Sequence, residues 1–343
     1  LADGFTVELL PENWTDEQVA DLNAFENTLN AELDPEIPPR PASVTRAHRD
    51  LREDPMHVFV ARDAAGAVVG SAWTDMPTRD NTHLVFTLPS VRADLRRRGV
   101  GTALLRGVVE MTQRANRSVL ILGCDFRNAA ADAFAASLGA ELAFEGHVNQ
   151  LTIADVDVAE MQRWVDATHP DYDIEWVPDG AYPEEWLSDI ARLHDVLAND
   201  APMGDLPVEE RTTSLDELRA DNRRQEAYGN TRWTVVARHR PSGEAVGYTE
   251  VVHTDRDPVH VFQGATAVEG KHRGHALGRQ LKATMFLRVL RDAPDAKYIR
   301  TFNADSNEPM LAVNVAMGFT PLIAGARWTI EPQKAAEWLE SRP

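Results

Sequence analysis

A chain of 343 residues with 43% apolar and 26% charged side chains holds enough material for two cores, at the usual ~100–200 residues per domain, and its composition excludes extended disorder. Its 54 acidic against 35 basic residues give a formal charge of −19, which opposes nucleic acid and anionic membrane surfaces as partners and suits cationic or neutral ligands. No apolar run reaches the ~18 residues of a membrane span, the opening LADGFTVELLPENW lacks a signal-peptide plan, and the single Cys124 rules out an intramolecular disulfide, so a cytoplasmic protein is expected.

In chain order, residues 5–10 (FTVELL) alternate like a strand. Thr15 then caps a helix carrying Val19, Leu22 and Phe25, and a second helix is expected over 46–53, after the proline-rich loop DPEIPPRP. HVFVARDAAGAVVGSAWTDM reads as a hairpin turning at 64–66. A third strand, HLVFTLPSV, enters a glycine turn, after which Leu104, Leu105, Val108 and Val109 recur at helical spacing. SVLILGCDF is apolar enough for a strand buried on both faces. A short helix over 128–137 and closing strands over 141–153 complete the set, and the helix DVAEMQRWVDATHP leads away. The order then restarts, with YDIEWV as a strand, two helical segments, and a hairpin turning at 242–243.

The restart is a duplication. Gly274 minus Gly99 is 175, while Asn307 minus Asn128 and Gly318 minus Gly139 are both 179. Residues 85–101 (VFTLPSVRADLRRRGVG) and 261–278 (VFQGATAVEGKHRGHALG) each give an apolar run, a glycine turn and a helix. Small residues at such a turn let backbone N–H groups crowd around an anion, which the helix N-terminus also favours. In the second copy Lys271, Gly274 and Ala276 read as basic-x-x-Gly-x-small, and Arg96, Gly99 and Gly101 repeat the spacing. Neither G-x-x-x-x-G-K-[ST] nor G-x-G-x-x-G after a strand occurs.

This spacing resembles the acyl-CoA-binding motif of the GCN5-related N-acetyltransferase (GNAT) family, met twice. The resemblance implies a mixed α/β fold of two tandem acyl-CoA N-acyltransferase domains, each a twisted mixed β-sheet flanked by helices. The first, over 1–155, would be degenerate; a connecting helix covers 156–171; the second, over 172–343, would be catalytic, because its ending MGF and its Asn303 follow the family more fully than the LGA and Cys124 of the first. Implied cofactor contacts are Thr266, Ala267, Val268, Lys271, His272, Arg273, Gly274, His275, Ala276, Leu277, Gly278, Arg279, Asn303, Asn307, Met310 and Asn314. A second cofactor site would use Arg96, Arg97, Arg98, Gly99, Val100, Gly101 and Thr102.

The expected activity is direct transfer from acetyl-CoA, or another short acyl-CoA, to the amine of a small molecule, with a non-catalytic acyl-CoA sensor or scaffold as the alternative. An alkyl amine with a pKa near ~10 needs a base. Glu250 in YTEVVH and His260 in PVHVF are the candidates; His260 lies eleven residues before Lys271, where some relatives carry the base. Asp255 and His253 stand behind them. Gln263 and Asn303 are candidates to position acceptor or cofactor, and an amide among 266–268 would meet the oxyanion. The family's usual tyrosine acid falls on Asn314, with Ala135 in the first half, and neither is an acid. His272 and His275 lack a carboxylate or cysteine companion, so no metal is expected. A second copy of the chain is left open as a partner.

Overall fold

The structure, a computed structural model, describes residues 4–342 apart from Glu53, Phe126 and Asn128. The Asn128 anchor of the duplication and the expected end of the second helix therefore lie outside the described residues. The elements run β1 (Thr6–Leu9), α1 (Asp16–Leu33), α2 (Ala42–Asp50), β2 (Met56–Arg62), β3 (Val68–Asp75), β4 (Leu84–Val91), α3 (Val100–Arg114), β5 (Val119–Cys124), α4 (Ala129–Leu138) and β6 (Glu141–Thr152). They continue as α5 (Val158–Asp166), β7 (Tyr172–Val177), α6 (Leu187–Asp200), α7 (Leu215–Ala227), β8 (Thr231–His239), β9 (Glu244–Thr254) and β10 (Asp257–Val268). After these come α8 (Leu277–Asp292), β11 (Tyr298–Ala304), α9 (Glu308–Met317), β12 (Thr320–Ile330) and α10 (Pro332–Glu340). Local chemistry sets the ends: Thr15 and Gln18 form a reciprocal capping box at α1, and Asn307 accepts from the Met310 amide to start α9. The helix expected over 46–53 begins four residues earlier, after Pro41, whose extended backbone makes it the cap of α2.

The chain forms two compact units, and each is discontinuous. The first comprises Leu1–Glu145, Met203–Glu209 and Ala324–Pro343; the second comprises Gly146–Pro202 and Glu210–Ile323. This differs from the boundary drawn at 156–171. The strand expected to close the first half, β6, runs antiparallel to β11 of the second unit from Gly146 to Thr152, while β12 runs antiparallel to β5 of the first, pairing Ala326 with Cys124 and Ile330 with Leu120. Because β6 and β12 are copies of one element, either presents the apolar antiparallel edge that β5 or β11 requires. Composition and periodicity do not choose between them.

Each unit's sheet has four antiparallel strands, then a parallel pair, then the exchanged strand: β1-β2-β3-β4-β5-β12 in the first, and β7-β8-β9-β10-β11-β6 in the second. Helix α3 buries Leu104, Leu105, Val108 and Val109 against the first sheet, and α8 buries Leu277, Leu281 and Met285 against the second. On the opposite face of the second sheet, α6 and α7 cover Tyr248, Ala245 and Val236 with Leu187, Ile190 and Leu218. Among the described residues no helix is long and apolar enough to cross a membrane.

Strand pairing in the second unit is close at one point. A Cβ built on Gly146 would lie 2.6 Å from the Asn303 carbonyl oxygen of β11. Gly146→Ala is expected to lower stability by about 2–3 kcal/mol, the cost of overpacking against backbone that cannot yield, read as a fall in the urea midpoint.

Candidate functional site

The loops entering α3 and α8 correspond residue for residue at an offset of 177, since Leu277 and Val100 open the two helices and Gly270–His272 and Ala93–Leu95 form the same 3₁₀ turn. Arg96 Nε donates to Val91 O and Arg273 Nε to Val268 O, both at 3.0 Å, with their outer nitrogens on Glu32 and Asp200. The motif's basic residue in the second half is therefore Arg273, not Lys271, and its small positions are Ala276 and Gly278. The sequence spacing of 175 arises from two left-handed positions two residues apart. In the first half they are Arg97 (φ 64°) and Gly99 (φ 85°); in the second, Gly274 (φ 84°) and Ala276 (φ 58°). Glycine fills the second position in one copy and the first in the other, so matching the glycines slides the register by two.

Neither Gly99 nor Ala276 supplies a side-chain cap, which leaves the amides of Val100, Gly101 and Thr102, and of Leu277, Gly278 and Arg279, directed at the loop. Both helix starts thus suit a diphosphate. Lys271 instead reaches Glu269 at 3.2 Å, and Arg279 lies over the Trp164 ring at 5.3 Å. His272 is buried with its Nδ1 2.9 Å from the Tyr172 hydroxyl, and His275 Nδ1 lies 3.2 Å from His272 O. Burial, then the charges of His239, Lys271 and His275, hold His272 below the usual imidazole range. Among the described residues no group of three or more His, Cys, Asp or Glu is placed to hold a metal.

In the second unit the parallel pair forks. β10 and β11 are in register only from His260–Phe262 with Tyr298–Arg300, and a bulge in β10 between Gln263 and Thr266 turns the strand past that point. Glu269 N donates across to Val246 O, and because strand amides alternate, Thr266 and Val268 direct theirs away from β9 and into the fork. The first unit forks after Thr87 and Leu122, and Arg92 N donates to Val69 O in the same way. There, however, the residue matching Thr266 is Pro89, which has no N–H. The residue matching Ala265 is Leu88, whose side chain lies over Gly123, 2.5 Å from a Cβ built there. The second fork therefore offers an acyl-thioester arm two amides beside the small Ala265, whereas the first keeps only the Val91 amide and has Leu88 over Gly123.

The two candidate bases are not brought together. Glu250 of β9 is one residue from Thr249, the cross-strand partner of Thr266. Its Oε2 accepts from the Tyr182 hydroxyl and lies 3.6 Å from Arg232 Nε, while Oε1 is 3.0 Å from a Cβ built on Gly264, so that oxygen faces the bulge. Asn222 of α7 holds Tyr182 through its backbone N–H and carbonyl at 2.9 and 3.0 Å. Burial first, and the Glu250 charge next, raise the Tyr182 phenol well above its ordinary value, so it stays a donor. Arg232 is buried between Glu250 and Asp221 with its guanidinium 4.1 Å from the Tyr182 ring. Burial works to raise the Asp221 carboxyl, but Arg232 and Arg224 keep it below the usual range. His194 Nε2 and the Tyr248 hydroxyl are buried on the same face without hydrogen-bond partners.

His260 lies in the closed part of the parallel pair, its Nδ1 3.0 Å from Asp257 and its ring stacked on Tyr298. Six residues of strand, about 20 Å at ~3.3 Å each, separate it from Thr266. Its selection rested on the count from Lys271; eleven residues before Arg273 is Phe262, and before Arg96 is Val85, neither a proton acceptor. Asn303 is already engaged, accepting from Asn314 at 2.7 Å and Asn149 at 3.3 Å, while Asn307 is occupied as the cap of α9. Asn314 Oδ1 is buried without a partner. Sequence reading missed Tyr182, Arg232, Gly264 and Lys282, whose parts become visible only when β9, β10 and the helices assemble.

Residues 20–140 match the model of the acetyltransferase (GNAT) family. Comparison with curated proteins gives no match. Among solved structures the chain is similar to a tandem GNAT protein from the clavulanic acid biosynthesis pathway, at 26% identity and a TM-score of 0.78, over 96% of this chain and 98% of that one. It is also similar to a GCN5-related N-acetyltransferase from Sphaerobacter thermophilus, at 13% identity and a TM-score of 0.66, over 97% of each chain. A GCN5-related glucosamine N-acetyltransferase region of a fungal multi-domain β-N-acetylglucosaminidase matches at 14% identity and a TM-score of 0.65, over 95% of this chain and 38% of that one. The last two likenesses concern the fold. The family model falls on the half whose loop, Arg96-Arg97-Arg98-Gly99-Val100-Gly101, keeps the second left-handed position as glycine.

Proposed function

Because the chain belongs to the acetyltransferase (GNAT) family, with the family's fold in tandem, we propose that its second unit transfers an acetyl, or another short acyl, group from coenzyme A to the amine of a small molecule. The observation that carries this reading is the convergence at β10, where Glu250 Oε1 faces the bulge and the Thr266 amide faces the fork. Acetyl-CoA, when bound, supplies an activated acyl thioester. The uncapped amides of Leu277, Gly278 and Arg279 would hold its diphosphate, and the amides of Thr266 and Val268 its arm and carbonyl.

Glu250 is the proton acceptor in this scheme. Tyr182 fixes one carboxylate oxygen and leaves the other toward the bulge, so a neutral amine placed there loses its proton to Oε1 as the new C–N bond forms. Phe262, half-exposed on the same face of β10, offers an apolar wall. Asn314 supplies no proton, so the sulfur leaving group takes its proton from water in this account. Local charge is balanced, Glu250 and Asp221 being met by Arg232 and Arg224, which suits an amine that arrives neutral. The tandem relative comes from a biosynthetic pathway for a small molecule, which agrees with a metabolite acceptor.

Calorimetric titration with acetyl-CoA tests the reading, with Gly278→Glu and Gly101→Glu as variants. A Cβ at Gly278 meets nothing within 4 Å and one at Gly101 meets only ordinary contacts, so neither position is crowded against a side chain. One site per chain is expected, weakened at least ~100-fold in Gly278→Glu, where the carboxylate opposes the diphosphate, and unchanged in Gly101→Glu. Binding lost only in Gly101→Glu would transfer the activity to the first unit. Binding in the second unit with no CoA release from any amine in a broad panel would favour a non-catalytic acyl-CoA sensor.

A further inference from the structure

Lys282 is a buried cation with no anion beside it. It lies on the second turn of α8, 2% exposed, and no carboxylate pairs with it among the described residues. Its Nζ makes one hydrogen bond, 2.8 Å to Gln263 Oε1, and sits 5.2 Å from the centre of the Phe319 ring. A lysine so placed is costly, and a packed methionine would fill the same space.

The contacts beyond Gln263 give the cost a purpose. Gln263 Nε2 donates to Thr249 Oγ1 at 2.9 Å and approaches Thr266 Oγ1 at 3.4 Å. Thr249 Oγ1 donates to Ala265 O at 3.2 Å and lies 2.6 Å from Thr266 Oγ1. An ammonium only donates, so it forces the oxygen of the Gln263 amide toward itself and the nitrogen toward the threonines. Thr249 then accepts from Gln263 and from the Thr266 hydroxyl, and spends its one proton on Ala265 O. The donor and acceptor of each of these bonds are then fixed, and the polarity is set at Lys282.

Ala265 O and Thr266 N belong to one peptide unit. A planar trans peptide directs its C=O and N–H to opposite sides, so tying Ala265 O to Thr249 on β9 aims the Thr266 N–H into the fork. We infer that Lys282 is a positioning residue which, through Gln263 and Thr249, orients the Thr266 amide as the oxyanion donor of the acyl transfer. This rests on the reading of the second unit as the transferase. The first unit has neither end of the device: Leu105 occupies the place of Lys282, and Pro89 that of Thr266. Burial lowers the Lys282 ammonium to about 7, so the lock relaxes as the amine loses its proton around neutrality.

The test is a mutant cycle in the full chain with Lys282→Met, Gln263→Met and the double variant, read by CoA release and by acetyl-CoA calorimetry. Lys282→Met is expected to bind acetyl-CoA within threefold of the parent and to lose about 30-fold in kcat, since a misaimed oxyanion donor forfeits part of the ~10²–10³ such a donor supplies. The double variant should be no slower than the worse single, because both residues act through one peptide. Losses that multiply, or a kcat within threefold of the parent in Lys282→Met, would overturn the inference.

A second readout needs no activity. In protein labelled with ¹⁵N-threonine, the Thr266 amide resonance should titrate with a midpoint near 7 in the parent, as the lysine does, and be flat in Lys282→Met. If that titration is seen and acetyl-CoA does not bind, the transferase reading falls while the coupling of Lys282 to the Thr266 peptide stands; a Thr266 amide indifferent to Lys282→Met rejects the coupling itself.

Discussion

Glu250→Gln is expected to lower kcat by about 10²–10³-fold while changing acetyl-CoA affinity less than twofold, the range in which a positioned general base contributes. The substitution keeps the shape of the side chain and an oxygen able to accept from Tyr182, so packing under α6 survives. What is lost is an oxygen able to take a proton, beside Gly264 at the bulge. The matched control is His260→Ala, which removes a ring bonded to Asp257 in the closed part of the strand pair. Its turnover should stay within about threefold of the parent, as expected for a side chain some six residues of strand from the reacting carbonyl. Steady-state CoA release across pH 6–9, with affinity measured in parallel, checks both. A large loss in His260→Ala with turnover kept in Glu250→Gln would place the base at His260 and remove the role given to the bulge.

The two variants also mark how far the residues alone lead. Glu250 is legible because a lone glutamate inside YTEVVH stands out on an apolar strand. What makes it a candidate base is Tyr182, 68 residues earlier and delivered by the loop before α6. His260 was found by counting from a landmark two residues out of register. The landmark slipped because left-handed backbone, not glycine itself, is what the turn requires: Arg97 and Ala276 both adopt it. The order of elements along the chain was legible from alternation and turn chemistry, so nearly every element falls where its pattern predicts. The exchange of β6 and β12 was not, because a duplicated strand carries the same pattern in both copies. Lys282 was hidden for a related reason. It follows Leu281 on a helix whose apolar stripe is already complete, and periodicity reads it as the stripe's solvated flank; only the width of the buried face of α8 shows otherwise.

Lys282→Met should also stabilise the protein, and with a pH dependence that identifies the cause. In the folded chain burial lowers the ammonium to about 7 from its ordinary 10.5, so between those values the unfolded chain binds more protons and stability rises with pH. Below pH 7 both states are protonated and the penalty is complete, at about 5 kcal/mol. Methionine removes that penalty but leaves Gln263 Oε1 without its donor, which costs about 1–3 kcal/mol. A net gain of about 2–4 kcal/mol is expected at pH 6, shrinking toward zero by pH 9 as the parent sheds its charge. Urea unfolding of parent and variant, followed by tryptophan fluorescence at pH 6, 7.5 and 9, measures it. Parallel pH profiles for the two proteins would mean that Lys282 carries no suppressed charge. A converging pair, together with slower turnover in the variant, would make this lysine a group retained against stability for what it does to the Thr266 peptide.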